Sequence, residues 1–149
     1  MPIRIAILDT GISLPQVASW SYEDRLLGFK SWLTSAPEDG DLTKGDQDLD
    51  GHGTHAAALL LQTAPNTDIY IARVFKDRKE SKTNVAAQII HQRVADAITY
   101  AAKEWEVDII TMSFGFEQSI PIIEDAIKIA ESKKIVIFAA ASNTAAMVR

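Results

Sequence analysis

Residues 46 to 60 read "DQDLDGHGTHAAALL", and their types and spacing fit three different chemistries. Asp46, Asp48 and Asp50 alternate and run into Gly51, which is how a calcium-binding loop between two helices begins. Such a loop needs a bidentate glutamate at its twelfth position, and counting from Asp46 puts Ala57 there. Only an irregular oxygen cage around Asp46, Asp48 or Asp50 stays open, as a weak calcium candidate. His52 and His55 could share one helix face on a metal, but a hydrolytic zinc site also needs a third ligand and a nearby base. Gly53 stands where a glutamate would follow the first histidine, so no metal ligand set is assigned. The remaining chemistry makes one imidazole a general base, which must be oriented by a carboxylate and held rigidly.

The elements around these residues supply the mountings. "IRIAIL", residues 3 to 8, reads as a largely buried strand with Asp9 at its carboxyl end. A second, weaker strand covers "LGFKSW", followed by an acidic loop. "HGTHAAALLLQTA" reads as a helix that stops near Pro65, so His52 falls at its start. Gly53 permits close backbone approach, and Ala56, Ala57 and Ala58 let the helix lie tight on a sheet. "IYIARVF" is an alternating strand. From Thr83 or Asn84 as cap, Ala86, Ile89, Ile90, Val94, Ala97, Ile98 and Ala101 mark an amphipathic helix. "VDIITMS" is the next buried strand, Ser119 and Pro121 open another helix, and "KIVIFAAAS" is the last strand.

Strands that alternate with helices imply an α/β fold with three layers, a parallel sheet covered by helices on both faces. Sites in such sheets lie beyond the strand carboxyl ends, a rule that puts Asp9, Ser113 and Asn143 on one rim. At 149 residues the chain is one domain by length, with 47% hydrophobic residues for a core. No cysteine is present, which removes disulfides and thiolate nucleophiles. The apolar runs are too short to span a bilayer and the first residues lack the pattern of a signal peptide, so a cytoplasmic or other intracellular location is expected, without membrane contact. Residues 37 to 51 carry six acids against Lys44 and so account for the whole net charge of -5. That segment reads as a solvated loop, and no basic face suggests a nucleic-acid partner.

"AILDTGI", "DGHGTHAAALL", "DIITMSFG" and "FAAASN" resemble the aspartate, histidine, substrate-binding and oxyanion segments of the subtilisin-like serine proteases, the subtilases, in the family's order. The resemblance covers nearly the whole chain. It implies the subtilisin-like α/β fold with spatial strand order 2-3-1-4-5, an intracellular relative, and endopeptidase chemistry on peptide or protein substrates without a cofactor. Asp9 would then orient His52, the general base, and His55 would be structural, satisfied by a hydrogen bond near the helix start. Ser113, Phe114 and Gly115 would lend backbone to an extended peptide. Asn143 would donate to the oxyanion, with Ala139 to Ser142, Ala141 among them, lining the adjoining pocket.

Two departures shape the expectation. Ser142 stands where the family usually has glycine before the asparagine. The nucleophile segment, a Gly-Thr-Ser opening a small-residue helix, is absent, and no serine sits in a Gly-x-Ser-x-Gly elbow. Residues 1–149 are therefore expected to form the amino-terminal half of a catalytic domain, inactive alone and partnered by its missing carboxyl-terminal half. The alternative is a non-catalytic peptide-binding or relic module of a larger multidomain protein.

Overall fold

The computed structural model describes residues 1–17, 23–33, 45–80, 87–116 and 118–140. Strand β1 (Ile3–Asp9) leads through a single helical turn, α1 (Leu14–Val17), and a 3-10 turn (Glu23–Arg25) to β2 (Leu26–Ser31). Helix α2 (His52–Thr63), strand β3 (Thr67–Arg73), helix α3 (Ala87–Lys103), strand β4 (Ile109–Met112), helix α4 (Pro121–Ser132) and strand β5 (Val136–Ala139) follow. The five strands form one sheet in the order β2-β3-β1-β4-β5, and every pairing is parallel. This is the order implied by the family resemblance.

Strand β1 sits in the middle, and its alternate side chains feed two separate cores. Ala6 and Leu8 join Val94, Ile98, Ala101 and Ala126 of α3 and α4 on one face. Ile5 and Ile7 join Ala57 and Leu61 of α2 and Val17 of α1 on the other. Because side chains alternate along a strand, Asp9 falls in step with Ile5 and Ile7, on the α2 side. The sheet therefore fixes the face on which Asp9 must be read.

β3, expected to alternate in and out, is buried almost throughout: Ile69 and Ile71 pack toward α2 while Tyr70 and Ala72 pack toward α3. A strand between two neighbours, with helices on both faces, has no solvent side for the alternation to mark. α3 keeps its apolar stripe, with one correction: Ile89, expected inside, is 56% exposed, and Ile90 takes the inward position at that turn. Thr83, Asn84 and Ala86, named for the start of this helix, lie outside the described residues. Pro121 occupies the first turn of α4, where its missing N–H costs nothing. α2 ends at Thr63, with Ala64 as cap, just before Pro65.

Candidate active site

The carboxyl end of β1 and the first residue of α2 meet. Nδ1 of His52 lies 2.9 Å from Oδ1 and 3.0 Å from Oδ2 of Asp9. A carboxylate only accepts, so the ring donates its Nδ1 proton, and Nε2 is left as the nitrogen that can take a proton from elsewhere. Asp9 is 3% exposed, and its two oxygens are fully engaged. Oδ1 also accepts the Thr10 N–H at 2.7 Å, and Oδ2 accepts the hydroxyl of Ser113. A buried acid held by three donors cannot swing away from the imidazole, which itself stays partly open to solvent.

Ser113 follows β4, whose Met112 pairs with Leu8, so the sheet register carries it level with Asp9. Its one hydroxyl proton is spent on the Asp9 carboxylate. Ser113 and Gly115 are exposed while Phe114 turns partly inward, edge-on to Phe75 at 4.6 Å between ring centres. The segment thus offers open backbone beyond the end of β4, with its one large side chain anchored in an aromatic row that continues through Phe116 to His91. Gly115 runs against the chain leaving β5, and a β-carbon there would stand 2.9 Å from the Ala140 carbonyl oxygen. Asn143, Ala141 and Ser142 lie outside the described residues.

His55 departs from expectation. Its backbone N–H bonds the Gly51 carbonyl at 3.0 Å as part of the helix, but its side chain is exposed rather than satisfied near the helix start.

The first turn of α2 is fastened by residues that the sequence reading did not assign to the site. Thr10 Oγ1 accepts the Gly53 N–H at 2.9 Å, and Thr54 Oγ1 accepts the Ser13 N–H at 2.9 Å. Both hydroxyls in turn donate to Asp48, at 2.9 and 2.6 Å. Asp50 Oδ2 accepts the Arg78 N–H at 3.0 Å, and its Oδ1 pairs with the Arg78 guanidinium at 3.0 Å. Arg73, buried and in register with Asp9, donates from Nε to the Thr10 carbonyl at 3.2 Å and from its guanidinium to Gln47 at 3.2 Å. Burial lowers the Arg73 pKa, against the opposing charges of Asp48 and Glu80. Among the described residues no group of three histidine or carboxylate side chains is placed to hold a metal ion. A signal for Thr10 and Asp48 was present in the sequence: a hydroxyl directly after the strand-end acid, and an acid just upstream of the helix start, where backbone N–H groups await acceptors.

A carboxylate-oriented imidazole on the rim of a parallel α/β sheet defines a candidate base-catalysed site of the kind that activates a hydroxyl nucleophile. The chain belongs to the subtilase family, whose sequence model matches residues 2–148. It is 28% identical to the intracellular serine protease of Paenibacillus polymyxa, over 95% of this chain and 41% of that protein. It is 26% identical to the major intracellular serine protease of Bacillus subtilis, over 95% of this chain and 43% of that protein. Among solved structures, sphericase superposes with a TM-score of 0.67 at 25% identity, covering 95% of this chain and 46% of the other. The chain thus spans less than half the length of these relatives.

Proposed function

We propose that residues 1–149 are the amino-terminal part of a serine endopeptidase domain, with the nucleophilic serine supplied by sequence outside them. Asp9 orients and electrostatically supports His52, and His52 takes the proton of that serine as it attacks the peptide carbonyl. Ser113, Phe114 and Gly115 receive extended peptide substrate by strand addition. Asn143 donates to the oxyanion, and Ala141 and Ser142 line the neighbouring pocket. The observation that carries this reading is the double approach of Asp9 to Nδ1 of His52, which leaves Nε2 for proton transfer. The absence of a Gly-Thr-Ser segment from residues 1–149 supports placing the nucleophile elsewhere. An intracellular setting is supported by the names of the Paenibacillus and Bacillus relatives.

The decisive experiment treats the parent protein, with all of its sequence, with a fluorophosphonate and maps the modified residue. Labelling is expected on a serine outside residues 1–149 and is expected to vanish in His52→Ala. Residues 1–149 alone are expected to show neither labelling nor peptide turnover. Labelling of Ser113 in that fragment, dependent on His52, would overturn the proposal. A parent protein that binds peptides yet never labels would establish the non-catalytic peptide-binding module instead.

A further inference from the structure

The acidic run that opens like a calcium loop puts one of its carboxylates to a different use. Asp48 accepts five hydrogen bonds from the protein. Oδ1 takes the Thr10 hydroxyl at 2.9 Å and the N–H groups of Asp50 and Gly51 at 3.1 and 2.8 Å. Oδ2 takes the N–H and hydroxyl of Thr54 at 2.9 and 2.6 Å. Burial raises the Asp48 pKa, but the bonds from Thr54, Gly51 and Thr10 outweigh it and hold the group below its ordinary value.

The two hydroxyls do not end there. Thr10, directly after Asp9, passes its oxygen to the Gly53 N–H, and Thr54 passes its oxygen to the Ser13 N–H. One carboxylate therefore closes two circuits that run from the backbone after Asp9 to the first turn of α2. Its partners Gly51 and Thr10 are the chain neighbours of His52 and Asp9, yet none of its five bonds goes to either side chain of that pair. α2 has no side-chain cap at Gly51 itself, where the backbone is left-handed (φ 92°), so Asp48 supplies the missing acceptor from upstream.

We propose that Asp48 is a positioning residue for the Asp9–His52 pair: by clamping α2 to the end of β1 it sets the distance and angle at which the imidazole meets the carboxylate. The assignment rests on reading His52 as the base, but the contact it governs can be measured whether or not a peptide is ever cleaved. All five partners are donors, so an asparagine would turn its NH2 group onto at least one N–H or hydroxyl and leave it unpaired.

The test follows the His52 Nδ1 proton by NMR in protein labelled with heavy nitrogen. Its bond to the carboxylate moves the resonance downfield and slows exchange, and loss of the signal in His52→Gln assigns it among the 3 histidines. The resonance is expected to disappear or move upfield in folded Asp48→Asn and in Thr10→Val, and to return in Thr10→Ser, which restores the hydroxyl. Arg25→Met is expected to leave it in place, because Arg25 binds the far end of α2, at the carbonyls of Leu61 and Ala64. If Asp48→Asn does not fold, the two Thr10 variants decide. An unchanged resonance in folded Asp48→Asn or Thr10→Val would overturn the proposal, as would its loss in Arg25→Met to the same extent. Resonances that follow Asp48 in a parent protein that never reacts with fluorophosphonate would uphold the clamp while removing the protease reading.

Discussion

Gly53 sits beside His52 with no room for a side chain. A β-carbon there would stand 2.2 Å from the carbonyl oxygen of Gly11, which is backbone and cannot rotate away. Gly51, on the other side of His52, has open space around it but a φ of 92°. Gly53→Ala is therefore expected to cost about 3 kcal/mol, the upper end of overpacking, and Gly51→Ala only about 1 kcal/mol of backbone strain. Urea denaturation of the two variants checks the ranking. Acid should act through Asp48. Its folded pKa lies below the ordinary 3.8, so its stabilising contribution is complete above 3.8 and is lost as pH falls through the folded value. Thermal melts between about pH 5 and about pH 2 should therefore fall more steeply in the wild type than in Asp48→Asn. Asp9 and His52 were legible as residues because an acid at a strand end and a histidine at a helix start are local patterns. Arg73 was not: it reads as an interruption in "IYIARVF", and only the pairing of β3 with β1 puts its guanidinium under the Thr10 carbonyl.

At the scale of elements, α2 is held at both ends by side chains from elsewhere. At its carboxyl end Arg25 donates to the carbonyls of Leu61, Ala64 and Thr67 and to the Thr67 hydroxyl. The Leu61 and Ala64 carbonyls are helix-end acceptors that would otherwise need water, and the charge also opposes the negative end of the helix dipole. Arg25→Met should lower stability by about 2 kcal/mol in chemical denaturation, the range for charged hydrogen bonds lost to partly buried acceptors. Every strand and long helix of the described residues was readable from hydrophobic period and from Pro65 and Pro121 as punctuation. The boundaries were less so. β3 begins at Thr67 rather than Ile69 and stops at Arg73, since its limits are set by the seven-residue match to β1 and not by its own composition. α1 gave no signal, because a single turn has no period to show; it is held by packing of Val17 against the α2-side core.

At the scale of the molecule the sheet carries a core on each face and is unfinished at one edge. Among the described residues β5 pairs only with β4, and Val136 and Phe138 are 51% and 59% exposed on it. Unpaired backbone beside exposed apolar side chains invites another strand. Residues 1–149 should therefore self-associate with rising concentration in sedimentation experiments, and Phe138→Lys should reduce that association without unfolding the protein. The central place of β1 also bears on how the chain is made. Its partners are β3 and β4, so during synthesis β1 can form no pairing in this sheet until residues 67–73 have followed it. For all that time "IRIAIL" is an unsatisfied apolar strand, and the Asp9 to His52 contact, though both residues are already synthesised, has no rigid support. Nascent chains arrested before Thr67 should be cut readily by added protease within β1, and protection should appear only after β3 has emerged.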